Sequence, residues 1–181
     1  NYFLMVSNQW SGTVRPTKDG GYTFSPANRE YGGTQSDLYN QDFLAALNGP
    51  EISIKGNNLI IFDGDTTPYS SDNTDFGIVA VTSGTVIHTF TISNIGPGDL
   101  NLTDSPRVII SGAHASDFSV TVQPVSPIIP GGSTTFTIVF DPSLIGLSTA
   151  SLNVYSDDSN ENPYNFSVQG TGTTDKSSPD T

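Results

Sequence analysis

The chain contains no cysteine in its 181 residues. That removes disulfides, thiolate metal sites and cysteine nucleophiles together. Positive charge is also scarce, with 6 Lys and Arg against 18 Asp and Glu and a net charge of −12. The imbalance is sharpest over residues 51–172, where Lys55 and Arg107 stand against Glu51, Asp63, Asp65, Asp72, Asp75, Asp99, Asp104, Asp117, Asp141, Asp157, Asp158 and Glu161. A surface of that sign repels phosphate backbones and argues against nucleic acid as a partner. It favours solubility and suits a salty exterior in which cations screen the charge. Long apolar runs are missing as well. Nothing approaches the roughly 18 residues a membrane helix needs, and no signal peptide opens the sequence, which is expected to begin inside a mature protein.

Gly, Ser, Thr, Asn and Asp are plentiful, and good helix formers are few. The apolar residues come in short runs such as Leu59-Ile60-Ile61-Phe62 and Val108-Ile109-Ile110, separated by turn residues. This spacing predicts an all-β sandwich. Period-two alternation recurs: Phe90 and Ile92 against Thr89, Thr91 and Ser93; Phe118, Val120 and Val122 against Ser119 and Thr121; Phe136, Ile138 and Phe140 against Thr135 and Thr137. Each stretch has one apolar face and one hydroxylated face, as strands of a two-sheet sandwich do. Strands are expected near 51–55, 58–62, 76–82, 85–94, 99–103, 107–111, 117–123, 133–140, 148–156 and 164–169, with turns at Asn57-Asn58, Gly96–Asp99, Pro130–Gly132 and Asp157–Pro163.

Three pieces are expected: residues 1–48, residues 49–172, and a tail over 173–181. Gly49-Pro50 marks the first join, a permissive residue followed by one of fixed φ. The tail, TTDKSSPDT, has nothing apolar to bury and reads as a linker.

The second piece carries a spaced set of markers: Asp75-Phe76-Gly77, His88-Thr89-Phe90-Thr91-Ile92, Gly98-Asp99-Leu100, Ser116-Asp117-Phe118, Pro130-Gly131-Gly132-Ser133, Phe140-Asp141-Pro142 and Asn160-Glu161-Asn162-Pro163-Tyr164. As a set these resemble the immunoglobulin-like choice-of-anchor D modules of large secreted bacterial surface proteins, relatives of the ASPM-SPD-Hydin sandwiches. The resemblance implies a complete immunoglobulin-like sandwich that is a non-enzymatic building piece. The first piece carries Gln9-Trp10-Ser11-Gly12-Thr13-Val14-Arg15-Pro16, then Gly21-Tyr22-Thr23-Phe24-Ser25-Pro26-Ala27, then Gln41-Asp42-Phe43. That order resembles the second half of a carboxypeptidase-regulatory-like, transthyretin-type sandwich. The resemblance implies a half-sandwich whose apolar residues Phe3, Met5, Trp10, Val14, Tyr22, Phe24, Phe43 and Leu47 need cover. The cover would come from upstream residues, a neighbouring domain, or a strand donated by another chain.

Carboxylates are the one abundant chemical group. Asp63, Asp65, Asp72 and Asp75 share a polar loop with the oxygen density calcium wants, although the spacing does not match an EF-hand and turn chemistry alone accounts for Asp-Gly-Asp. The Asp157–Asn162 loop has the same two readings. His88 and His114 lie on different elements with no third histidine, so zinc has no set of ligands. No Gly-x-Ser-x-Gly elbow exists for a serine nucleophile. Trp10, Tyr22, Tyr31 and Tyr39 offer either an aromatic platform for a polysaccharide or the filling of a small core. Asn101-Leu-Thr103 and Asn165-Phe-Ser167 fit the glycosylation pattern, which is usually silent in a bacterial protein.

The expectation is therefore an all-β chain, a partial transthyretin-like half-sandwich followed by a complete immunoglobulin-like sandwich. Its expected role is non-catalytic, as a stalk or adhesion segment of a large secreted multidomain protein at the bacterial cell surface. The alternative is an accessory domain, carbohydrate-binding in one version, of an extracellular hydrolase. No cofactor is expected unless it is calcium.

Overall fold

A computed structural model describes residues 10–18, 22–33 and 42–174. Phe3, Met5, Tyr39 and the tail beyond residue 174 lie outside the described residues. The chain divides into two compact units, residues 1–48 and residues 49–181. Among the described residues there is no α-helix; the regular structure is strand, with two short 3-10 turns.

The first unit contains β1 (Gly12–Val14), β2 (Tyr22–Ser25), β3 (Arg29–Tyr31) and β4 (Leu44–Leu47). They pair antiparallel as two separate ribbons, β1 with β3 and β2 with β4. None of the described residues in 10–48 is buried. Trp10, Val14, Tyr22, Phe24, Phe43 and Leu47 are all half-buried.

The second unit is a two-sheet sandwich. Its strands are β5 (Ile52–Gly56), β6 (Leu59–Ile61), β7 (Asp75–Ala80), β8 (Val86–Asn94), β9 (Val108–Ser111), β10 (Phe118–Val122), β11 (Ser133–Phe140), β12 (Gly146–Val154) and β13 (Tyr164–Thr173). One sheet runs β10-β11-β8-β5-β6 and the other β7-β13-β12-β9. Every pairing is antiparallel except that of β13 with β7. Alternation dictates the core: Phe90, Ile92, Phe136, Ile138 and Phe140 of one sheet meet Leu152, Val154, Phe166 and Val168 of the other, all nearly inaccessible to solvent. The Phe90 and Phe136 rings stack at 5.2 Å between centroids, 17° from parallel. The outward residues form hydroxyl ladders. Thr89 and Thr137 lie opposite each other with hydroxyl oxygens 3.2 Å apart, and Thr91 and Thr135 follow in register.

Three expectations change. Residues 99–103 make no strand; Leu100 bridges to Ile128 and Leu102 to Ser156, each as an isolated pair outside the two sheets. Val122 does not share the inward face of Phe118, because the register shifts between Val120 and Val122 and leaves Val122 51% exposed. β13 runs on to Thr173, past the expected end, because Gly170–Gly172 pair with β12 and Thr171–Thr173 with β7, the glycine at 170 leaving room for the Phe140 ring.

The chain enters and leaves this sandwich at opposite ends. Ile52, the first residue of β5, pairs with Asn94, the last of β8, at what is called here the base. Thr173, the last residue of β13, lies at the tip, where Val86 begins β8 opposite Phe140 and where Gly172 abuts Pro142 and Leu144. β8 has nine residues, which separates base from tip by about 30 Å. At the base, Asn94 is fully buried and uses its whole carboxamide. Its Nδ2 donates to the carbonyls of Gly98 and Ile128, and its Oδ1 accepts from the amides of Glu51 and Gly96.

Candidate functional site

Each of the four aspartates in the 63–75 loop gives at least one oxygen to a turn or a strand end. Asp63 Oδ1 accepts from the Asn165 amide at 2.7 Å. Asp65 Oδ1 accepts from the amide and hydroxyl of Thr67. Asp72, buried, takes the amide and hydroxyl of Thr74, the latter at 2.6 Å. Asp75 accepts from Gly77 N and Gln169 Nε2. The structure does not bring the four together: among the described residues no group of three or more His, Asp or Glu side chains is placed to hold a metal ion.

The aromatic residues of the first unit are split between its two ribbons. Trp10 lies across Gly12, where a Cβ would meet the indole at 2.5 Å, and its ring sits 6.2 Å from Tyr31 at a tilt of 42°. Tyr22 belongs to the other ribbon, and Lys18 Nζ covers its ring at 3.7 Å. Trp10, Tyr22 and Tyr31 thus present no single coplanar face.

His88 packs at the edge of the core, stacked on Phe76 at 4.3 Å, and its Nδ1 donates to the Asn73 carbonyl at 2.7 Å. His114 stands at the tip, just before the 3-10 turn Ala115–Asp117, and its Nδ1 accepts from the Thr149 amide. Beside it, Asp117 is buried and collects Ser143 N, Ser143 Oγ at 2.7 Å and Ser148 Oγ at 2.6 Å. Burial works to raise the Asp117 carboxyl, but the hydrogen bonds from Ser148 and Ser143 outweigh it and hold the group below the ordinary carboxylate range. Serine, histidine and aspartate meet here, yet both hydroxyl protons go to the carboxylate. With no serine-to-imidazole hydrogen bond, the cluster works as a clasp on the β11–β12 turn and lacks the geometry of a nucleophile and its base. Sequence reading passed over this clasp because its partners lie 26 and 31 positions apart. A cavity of about 280 Å³ opens between the clasp and the turn.

At the base, carboxylates crowd. Asp158 is buried, with Oδ2 accepting from the Ile52 amide at 2.8 Å. Burial pushes the Glu161 carboxyl up to about 7, with further help from the charges of Asp158, Glu51 and Asp63. Its Oε2 is buried without a hydrogen bond. Nearby, burial pushes the Tyr164 phenol up to about 12, and its hydroxyl donates to the Ile61 carbonyl.

A family model described as a HYDIN/CFA65/VesB-like, Ig-like domain matches residues 67–171. No curated protein matches the chain. Among solved structures, a Porphyromonas gingivalis W83 protein of unknown function aligns over 88% of this chain and 83% of its own, at 14% identity and a TM-score of 0.44. The Vibrio cholerae VesB protease aligns over 70% of this chain and 32% of its own, at 15% identity and 0.41. The secreted serine protease VesC from Vibrio cholerae aligns over 54% and 21%, at 17% identity and 0.43. The chain therefore spans about a third of the VesB chain and a fifth of the VesC chain.

Proposed function

The chain belongs to the HYDIN/CFA65/VesB-like, Ig-like domain family, and from that premise we propose that it is a non-catalytic spacer and interaction segment of a larger, secreted bacterial surface protein. One observation carries this reading: the polypeptide enters the sandwich at its base and leaves at its tip, so the module adds its full length to whatever it joins. The outward positions of β8 and β11 include the paired threonines Thr89–Thr137 and Thr91–Thr135, and the Asp, Ser and His groups at the tip are bonded within the fold. The finer assignments, choice-of-anchor D for residues 49–172 and a transthyretin-type half-sandwich for residues 1–48, belong to the same proposal. For residues 1–48 it is supported by strands that bury no described residue and therefore want a neighbouring domain or donated strand as cover.

Excision of residues 49–174 from the parent protein tests the reading. The parent should lose reach beyond the cell surface, and an unrelated rigid sandwich of equal length should restore it. If no substitute restored function while a soluble small substrate also ceased to turn over, the spacer role would be wrong. The family description names VesB, a protease, and this supports a second reading as an accessory domain of an extracellular hydrolase. Under it, excision would weaken action on a bound polymer and spare a soluble substrate.

A further inference from the structure

An asparagine followed by glycine is a chemically weak point. The backbone nitrogen of the next residue can attack the side-chain amide carbon, and a glycine there puts no side chain in the way. Of the chain's asparagines, Asn48 alone precedes a glycine. Three observations leave this pair open. Asn48 is exposed, just past the end of β4 and in no regular element. Among the described residues neither its carboxamide nor the Gly49 amide makes a hydrogen bond. A Cβ at Gly49 would meet nothing within 4 Å, so that side of the backbone is uncrowded. Asp63-Gly64, open to the same chemistry by sequence, is closed by the fold. The Gly64 amide donates to the Asn165 carbonyl at 2.7 Å, and Asp63 Oδ1 accepts from the Asn165 amide at 2.7 Å. Asn57, Asn101, Asn153 and Asn165 are followed by bulkier residues, and each donates from Nδ2 within the fold.

We propose that Asn48 is a site of spontaneous modification, deamidating to aspartate and isoaspartate in the folded protein. The Gly49 nitrogen gives up its proton to hydroxide and bonds to Cγ of Asn48. The Cγ–Nδ2 bond breaks, Nδ2 takes up a proton and leaves as ammonia, and a five-membered succinimide closes. Water then opens the ring at one of its two carbonyls. Opening at Cγ restores the ordinary main chain and leaves aspartate at position 48. Opening at the main-chain carbonyl leaves isoaspartate, in which the chain runs on through Cβ and Cγ and the former carbonyl becomes the free carboxylate. Either product adds one negative charge, and isoaspartate also adds a methylene to the main chain. The change falls between held neighbours, since Leu47 is paired with Tyr22 and the Gly49 carbonyl accepts from the Gly98 amide. The added charge and length therefore concentrate at position 48.

The full chain, held folded for days in mildly alkaline buffer, tests this by peptide mass spectrometry together with enzymatic labelling of isoaspartate. Asn48 should convert with release of ammonia, faster as pH rises, and isoaspartate should appear at that position. Asn57, Asn101, Asn153 and Asn165 should keep their amides over the same period, and Asp63 its ordinary linkage. The same chain in urea supplies the rate without the fold, and there Asp63 should begin to isomerise. Gly49→Val, for which the fold has room, should lose the conversion while keeping the wild-type circular dichroism. Should valine disturb the fold, Asn48→Gln takes its place with the same expected loss, because its attack needs a six-membered ring. A folded chain in which Asn48 converts far more slowly than in urea overturns the proposal. So does a Gly49→Val chain that converts as fast as the wild type, or another of the described asparagines converting first.

Discussion

Asn94 is the polar residue on which the base depends. Its carboxamide serves two amide donors and two carbonyl acceptors at once, so Asn94→Ala strands the Glu51 and Gly96 amides and the Gly98 carbonyl, while the Ile128 carbonyl keeps the Leu100 amide. An unsatisfied buried group costs about 1–3 kcal/mol, and water reaching some of the three limits the sum to about 3 kcal/mol. Urea denaturation monitored by tryptophan-independent circular dichroism should read that loss as a lower midpoint at unchanged slope. Glu161 sets the alkaline side of stability. Its folded value of about 7 lies above the ordinary 4.5, so the folded state holds the proton more tightly than the unfolded chain does. The stability it contributes is full below about 4.5 and is lost as pH rises through about 7. Glu161→Gln should flatten the fall in melting temperature between pH 5 and pH 8, and an unchanged slope would assign that fall to other groups. Asp117 has the opposite sign: its carboxyl is held low, so its contribution is present at neutral pH and fades in acid.

At the scale of elements, the paired strands β8 and β11 anchor the sandwich. Phe90 and Phe136 are fully inaccessible and stacked on each other, and truncating either to Ala should cost about 3–5 kcal/mol in chemical denaturation. The loop of Asp63, Asp65, Asp72 and Asp75 is predicted to be indifferent to calcium, because among the described residues no three of these carboxylates are placed around one point. A ligand held at about 100 times its dissociation constant would add about 2.7 kcal/mol, so a melting temperature unmoved between chelator and millimolar calcium is the expected result. The long strands were legible in the sequence because one face is apolar and the other hydroxylated, a signal that survives without knowledge of partners. The irregular 99–103 segment was not, since Leu100 and Leu102 are buried like strand residues but each makes only an isolated bridge. Nor was Val122, whose alternation is correct until the bulge turns it outward.

For the second unit taken whole, the absence of cysteine gives a clean test of its length. Glu51→Cys and Thr171→Cys introduce the only thiols, and spin labels on them should lie about 30 Å apart, as expected for the span of β8. A much shorter distance would put both joins at one end and remove the geometric basis of a spacer. The same arrangement decides how the unit answers tension. The first strand, β5, lies in one sheet and is pulled from the base; the last, β13, lies in the other sheet between β12 and β7 and is pulled from the tip. Ladder hydrogen bonds run across the strands, so a pull along them loads a whole ladder in shear where a hairpin pulled at its open end would part bond by bond. With its ends tethered, the sandwich should therefore hold until the β13 ladders slip together, yielding at a single high force instead of peeling open gradually.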